Sequence, residues 1–109
     1  MSFQNIKVID GVAVLAGATN DPVTVKMDDS LNEILIYVIN AGDSTNLTVK
    51  IYSSPDGIIQ APLSTLTLST TAAVADVPVS IVPAYLIFVA SNGDATNATT
   101  YDVIISKRA

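Results

Sequence analysis

The sequence lacks cysteine, histidine and tryptophan altogether. Without cysteine, neither disulfide bonds nor thiolate metal sites can form. Without histidine and cysteine, the most common general base and the thiol nucleophile of enzymes are missing. Serine is plentiful, but no Gly-x-Ser-x-Gly nucleophile motif and no glycine-rich phosphate loop occurs. We therefore expect a protein that is not an enzyme and that uses no cofactor.

Charge is scarce, and its sign does not suit nucleic acid. Charged residues make up 14% of the chain and the net charge is −5, whereas a typical soluble domain has about 25% charged residues. A phosphate-binding surface needs clustered lysine and arginine, but the five basic residues are scattered apart from Lys107-Arg108. No apolar run approaches the roughly 18 residues of a membrane helix. We expect neither nucleic acid nor a membrane as a partner.

Half of the residues are hydrophobic, which is a large share for a chain with so few charges. Such a composition favours a protein that hides part of its surface against other subunits. The alternative is a soluble domain of low charge, rich in threonine and serine. The N-terminal stretch resembles a signal peptide only superficially, because Asp10 interrupts its apolar part and Lys7 alone supplies a positive flank. We expect an uncleaved protein made in a host cytoplasm.

Apolar and polar residues alternate along most of the chain, for example in 23–27, 47–51 and 101–105. A period of two is typical of half-buried strands, and valine, isoleucine and threonine suit a pleated sheet. Turn sequences such as Asp10-Gly11 and Ser54-Pro55-Asp56-Gly57 separate the strands. The predicted strands are 3–9, 12–16, 22–28, 33–40, 46–53, 63–69, 76–82, 85–91 and 99–107. The fold class is therefore all-β: residues 1–109 form one antiparallel β-sandwich of about eight short strands, with an Ig-like or jelly-roll-like Greek key and essentially no helix.

One stretch occurs twice. Residues 35–48 read LIYVINAGDSTNLT and residues 86–99 read LIFVASNGDATNAT, with eight of fourteen positions identical. Each copy reads as a hairpin whose glycine permits a positive φ and whose Asp and Asn side chains bind turn amides. Matching hairpins commonly contribute to one sheet, so we expect 34–40 and 85–90 to pair or to share a sheet. Tyr37 and Phe88 should then lie on the same face.

The repeated loops are weak candidates for calcium sites. Each has one aspartate, Asp43 or Asp94, whereas Ca²⁺ takes about six to eight oxygens and usually several carboxylates. Asp28 and Asp29 would add a carboxylate pair, but a solvated turn explains them better. We expect no metal site.

Two segments are apolar on both faces, 35–39 and 86–90. An antiparallel strand with one face in water alternates, so something should cover the second face of each. A loop of the same chain and another subunit are both possible covers. The first residues, 1–16, are a possible N-terminal arm or edge strand used in assembly. The candidate assembly contacts are Phe3, Ile6, Val8, Val12, Val14, Tyr37 and Phe88.

The order of turns and strands over residues 47–107 carries a family resemblance. VKIYSSPDGI is followed by a threonine-rich strand and then by PAYLIFVASNGDATNATTYDVIISK. This pattern resembles the small β-sandwich decoration, or cement, proteins of tailed-phage heads. The resemblance implies a protein that binds the outside of an icosahedral shell, often at symmetry axes, and reinforces it. No binding residue is carried over, because the likeness lies in strand order and not in a residue motif.

These observations predict a non-enzymatic structural protein of a multi-copy assembly, located on a virion surface. Its expected partners are copies of itself, a major capsid protein, or both. One alternative is a self-assembling subunit of a prokaryotic extracellular filament. Another is a carbohydrate-binding module, but such modules stack sugars on exposed aromatic residues, and this chain has only four tyrosines and two phenylalanines.

Overall fold

The computed structural model describes residues 3–27 and 33–108, and these residues form eight strands and no helix. The predicted all-β class is confirmed. The strands are β1 Phe3–Val14, β2 Val23–Lys26, β3 Glu33–Asn40, β4 Leu47–Ser54, β5 Ala61–Leu68, β6 Val74–Val79, β7 Tyr85–Asn92 and β8 Thr99–Arg108.

The strands form two antiparallel sheets of four strands each. Sheet A has the order β1-β8-β3-β6, and sheet B has the order β2-β7-β4-β5. Every connection crosses from one sheet to the other except the β4–β5 hairpin, which stays within sheet B. This is the jelly-roll arrangement of two Greek keys. Of the two topologies that the sequence left open, the structure has the jelly roll.

The core lies between the sheets and follows from the alternation of apolar residues. In β3, for example, every second residue is buried, from Ile34 to Asn40, and the residues between them are half-buried on the outer face. The largest side chains with essentially no exposed surface are Tyr101 and Phe88. Full burial of such a side chain contributes roughly 1.5–3 kcal/mol relative to leaving it in water.

The phenolic oxygen of Tyr101 is buried without a hydrogen-bond partner, and burial raises the pKa of this tyrosine. A buried polar group without a partner costs about 1–3 kcal/mol. We therefore expect Tyr101→Phe to keep or raise the free energy of unfolding, by up to about 1 kcal/mol, in urea denaturation. The half-buried Tyr52, on the outer face of sheet B, gives the matched Tyr→Phe control. A clear loss of stability in Tyr101→Phe would mean that the hydroxyl is hydrogen-bonded in solution.

Asp10-Gly11 is a bulge and not the predicted turn. β1 runs through these residues, so the strands predicted at 3–9 and 12–16 are one strand. Its register against β8 shifts between Ile9 and Val12, where the backbone of Gly11 has φ +62°. The Gly11 N–H donates to Asp102 Oδ1 at 2.6 Å. A glycine in the left-handed region is a common way to insert an extra residue into a strand.

The two copies of the repeat lie in different sheets, so the prediction that they share a sheet is wrong. β3 belongs to sheet A and β7 to sheet B, and they have no neighbouring strand in common. The reason is a symmetry of the topology. If four is added to each strand number of sheet A, and counting starts again at β1 after β8, the order becomes β5-β4-β7-β2, which is sheet B read backwards. The repeated hairpins are therefore equivalent elements of the two halves of the jelly roll.

Identical residues of the two copies also lie on opposite faces of their sheets. Leu35 and Tyr37 point outward from sheet A, whereas their counterparts Leu86 and Phe88 are buried in the core. The equivalent buried positions are one residue further on, so that Asn40 matches Asn92 and not Ser91. Because side chains alternate along a strand, a shift of one residue exchanges the two faces. Tyr37 and Phe88 therefore do not share a face, contrary to the prediction.

Candidate assembly surfaces

The two repeated loops pack against each other at one end of the sandwich, with Asp94 at the centre. Its carboxylate accepts six hydrogen bonds, three on each oxygen. The donors are backbone and side-chain groups of Thr96 and Asn97 in its own loop and of Thr45 in the other loop, at 3.0–3.1 Å. The backbone N–H of Thr96, followed by that of Thr45, holds the pKa of Asp94 far below its ordinary value.

Two buried asparagines connect the strands to these loops. The Oδ1 atom of Asn40 accepts from the Thr99 hydroxyl at 2.6 Å, and that of Asn92 accepts from the Ser44 hydroxyl at 2.6 Å. Each asparagine also donates through Nδ2 to a carbonyl of the loop that follows it, that of Ser44 or Asn97. The polar residues of the repeat thus hold each hairpin loop to the other.

The two loop glycines are required by close packing and not, as expected, by a positive φ. Neither Gly42 nor Gly93 has a positive φ. A Cβ atom on Gly42 would lie 2.8 Å from the Cα of Thr99, and one on Gly93 would lie 2.5 Å from Asn46 Nδ2. Each glycine therefore makes room for the neighbouring loop.

The loop end offers little to a metal ion. The oxygens of Asp94 are occupied by donors of the chain itself, and Asp43 is exposed. Within residues 3–27 and 33–108, no cluster of three acidic residues, histidines or cysteines could hold a metal. Asp28 and Asp29 lie outside the described residues. The polar residues of this end serve the fold.

The outer face of sheet A has a different character. A shallow groove of about 870 Å³ runs over it and is lined mainly by apolar surface. Its residues come from all four strands and the β6–β7 connection, and they include Asn5, Leu35, Tyr37, Pro78 and Ile104. No described part of the chain covers this face, so Leu35 and Tyr37 remain half-buried rather than enclosed.

The outer face of sheet B is partly covered by the chain itself. Ile87 points outward from β7 but has only 1% of its surface exposed. The turn after β4 approaches the same region: a Cβ on Gly57 would lie 3.6 Å from the Tyr85 ring and 3.7 Å from the Thr24 methyl group. The two strands that are apolar on both faces therefore differ. On the second face of β7 Ile87 is enclosed, whereas every outward residue of β3 is half-buried.

The turn after β4 confirms one prediction and adds exposed apolar residues. Gly57 has φ +84°, as expected for the Ser54-Pro55-Asp56-Gly57 sequence, and its N–H donates to Ser54 Oγ at 2.8 Å. Asp56 Oδ1 accepts from the N–H groups of Ile58 and Ile59, both at 2.9 Å. These bonds lower the pKa of Asp56. They also present Ile58 to solvent, where its side chain is 81% exposed.

The structure separates the predicted contact residues into two groups. Val14 and Phe88 have no exposed surface and belong to the core, so neither side chain is available to another subunit in this fold. The others lie at or near the surface: Ile6 is exposed, and Val8, Val12 and Tyr37 are half-buried. Phe3 begins β1, and its side chain lies outside the described part of the structure.

Of the two possibilities for the N-terminal segment, an arm or an edge strand, the described residues 3–14 form an edge strand. β1 is the edge strand of sheet A, pairs with β8 along its length and contributes Ile9 and Val14 to the core. Deletion of residues 1–12 would therefore remove most of β1 and is expected to destabilise the fold. The use of β1 in assembly remains a prediction.

Sequence reasoning missed several surface residues. Pro78 and Ile104 line the groove beside Tyr37, but only the pairing of β3 with β6 and β8 brings them together. The exposed isoleucines Ile58 and Ile81 lie in loops at the end opposite the polar loops. Their position after turn residues could have indicated exposure, because an apolar residue in a loop is not on the buried face of a strand.

Comparisons with known proteins show the fold but no family. No protein-family model matches the chain, and no curated protein is similar to it. One similar solved structure is the subunit of Bacillus endospore appendages, described as disulfide-linked pili: TM-score 0.51, 13% identity, covering 97% of this chain and 86% of that chain. Another is the STIV MCP, a viral capsid protein: TM-score 0.50, 10% identity, covering 100% of this chain and 49% of that chain. This chain thus spans about half the length of the capsid protein.

The described residues contain no helix that could cross a membrane. Neither similar structure is a phage decoration protein, so that resemblance stays a hypothesis. At these identities the comparisons establish that the chain shares a β-sandwich fold with proteins of these two kinds.

Proposed function

We propose that this chain is a non-enzymatic structural protein that works in many copies as a decoration protein, binding and stabilising a viral capsid shell. The observation that carries the proposal is the open outer face of sheet A. Leu35, Tyr37, Pro78 and Ile104 form a continuous apolar surface there, and no described part of the chain covers it. Extended apolar surface on a soluble protein usually marks a contact with another macromolecule.

The similar structures support a role in assembly. A virus capsid protein and a pilus subunit both build large structures from many copies, and jelly rolls are common in capsids. Weak individual contacts suffice in such assemblies because binding at several sites adds avidity. The expected location is the surface of the virion, and the expected partners are a major capsid protein and copies of this chain.

The arrangement of polar groups supports a role without catalysis. The most strongly perturbed carboxylate, that of Asp94, is saturated by donors from two loops, and Asn40 and Asn92 bind loop carbonyls and hydroxyls. A catalytic carboxylate needs a free oxygen directed at a substrate. These groups therefore serve the structure.

A second candidate is a subunit of an extracellular filament. It is favoured by the similarity to the Bacillus appendage subunit, which extends over nearly the full length of both chains. That protein forms disulfide-linked pili, whereas this chain has no cysteine. A filament of this chain would have to be held by non-covalent contacts alone.

The proposal is tested by binding to particles. Purified chain is mixed with undecorated shells from its native source and sedimented, and bound protein is quantified. Tyr37→Glu places a charge in the open apolar face and is expected to weaken binding at least tenfold. Tyr52→Glu makes the same change at a half-buried tyrosine on the outer face of sheet B and should bind like the wild type.

Two results would contradict the proposal. One, equal binding by the wild type and Tyr37→Glu with both proteins folded by circular dichroism, would mean that the contact does not lie on the open face of sheet A. The other is the absence of any binding, together with regular fibres of the isolated chain in electron micrographs. The second result would establish the filament alternative instead.

A further inference from the structure

The sandwich has four edge strands, and three of them carry features that hinder pairing with another strand. β1 has two register shifts, at Lys7–Ile9 and Ile9–Val12. β2 has only four residues and ends on Lys26. β6 contains Asp76 and Pro78, and proline has no N–H to donate. Bulges, short strands, charges and prolines are the devices by which natural sheets protect their edges.

The fourth edge strand, β5, lacks these features over most of its length. Its sequence is APLSTLTL, without a charged residue, and its only proline is Pro62 at the start. The register against β4 shifts once, beside Pro62, and is regular from Ser64 to Leu68. β4 pairs with one side of β5, and no other described strand pairs with the opposite side. An edge strand of this kind presents free N–H and C=O groups for pairing.

We propose that the free edge of β5 pairs with β5 of a second copy of this chain, so that two B sheets become one antiparallel sheet of eight strands. The proposal rests on the multi-copy role but names a surface other than the groove. An exposed apolar side chain lies on this edge strand: Leu63 is 38% exposed. Contact between two copies along β5 would bring this side chain to the interface.

The sequence of β5 suits pairing with itself. Ser64, Leu66 and Leu68 pair with core residues of β4 and face inward, whereas Thr65 and Thr67 face outward and are exposed. Residues opposite each other in an antiparallel pair lie on the same face. A two-fold pair centred on Leu66 continues both faces of the sheet and sets Thr65 against Thr67, Leu66 against Leu66 and Ser64 against Leu68.

The distribution of charge favours a second copy of the chain at this edge. The chain has a net charge of −5, so two copies repel each other at long range. β5 is the longest edge segment without charge, and contact there brings no like charges directly together. Threonine pairs across strands are also favourable. A second copy therefore suits this edge.

The test uses a charge placed on the outward face of β5. Thr65 lies near the middle of the strand, so every register that pairs most of β5 brings the two copies of this residue opposite or diagonal to each other. Within one chain Thr65 lies opposite Lys50, so that Thr65→Glu adds a favourable pair to the monomer. The same change at Thr24, on the edge strand at the other side of sheet B, is the matched control.

Mass is measured by light scattering across a concentration series of the isolated chain. We expect the wild type and Thr24→Glu to reach twice the monomer mass, and the Thr65→Glu variant to require at least tenfold higher concentration. A mixture of Thr65→Glu with Thr65→Lys should regain the dimer, because opposite charges then face each other. Amide hydrogen exchange should show protection of residues 63–68 that increases with concentration.

The proposal is overturned if the wild type stays monomeric at all concentrations, or if it dimerises equally well with Thr65→Glu. Dimerisation without added protection in β5 would also overturn it. These outcomes are independent of particle binding, since a monomer that binds shells through the groove would leave the decoration role intact. A chain that forms the β5 dimer but does not bind shells would support the pairing and contradict the decoration role.

Discussion

Replacing Phe88 by alanine is expected to destabilise the fold by about 3–5 kcal/mol, because it opens a cavity between the two sheets. Phe88 has no exposed surface and is among the largest side chains of the core. The matched control is Tyr37→Ala, at the corresponding position of the repeat, which changes a half-buried side chain on the outer face of sheet A. We expect that control to cost about 1 kcal/mol. Urea denaturation of the two variants measures both values.

Equal losses in the two variants would contradict the one-residue shift between the copies of the repeat. If the repeated letters faced the same side, both aromatic residues would lie in the core or both on the surface. A large loss for Phe88→Ala alone supports the burial pattern of β3 and β7.

Replacing Asp94 by asparagine is expected to lower Tm by about 10 °C, because one of its two acceptor oxygens becomes an amide that faces donors. Six hydrogen bonds end on this carboxylate, and they join the two loops. Asp43→Asn is the matched control, since Asp43 occupies the corresponding position of the repeat but is exposed. We expect little change in Tm for the control at pH 7.

The lowered pKa of Asp94 also predicts how the stability of the fold depends on pH. The pKa of Asp94 is lowered in the folded protein, so the unfolded chain binds this proton more readily than the folded one. The stabilisation is complete above the ordinary aspartate pKa of 3.8 and is lost progressively as the pH falls below that value. Thermal melts between pH 7 and pH 2 should show this loss in the wild type and a smaller one in Asp94→Asn. A parallel decline in both proteins would assign the acid sensitivity to other groups.

The fold class was predictable because alternation of valine, isoleucine and threonine is a local property of the chain. Strands such as β3 and β7 were placed nearly to the residue for this reason. Local patterns do not show which strands pair with each other, and for this reason the sheet assignment of the repeated strands was wrong. Eight shared residues suggested one sheet, but the six-residue connections of both hairpins cross between sheets.

The assembly surfaces were predictable only in part. The apolar outer face of β3 could be inferred from 35–39, because no local polar residue interrupts it. The cover over β7 could not, since it depends on the turn after Ser54 folding back toward Tyr85. Likewise, Phe88 and Tyr37 look equivalent in the sequence, and only the register of their strands assigns one to the core and the other to the surface.

The order of the sheets has a consequence for how the chain folds. Among the described residues, all six strand pairings join a strand from β1–β4 to a strand from β5–β8, and neither half contains a pair of its own. The first half therefore cannot form any native sheet until the second half is available. Proteins dominated by such distant pairings fold slowly, in roughly milliseconds to seconds, because long loops must close before contacts form. During synthesis the β4–β5 hairpin can form early, whereas β1, β2 and β3 stay unpaired until β6, β7 and β8 emerge.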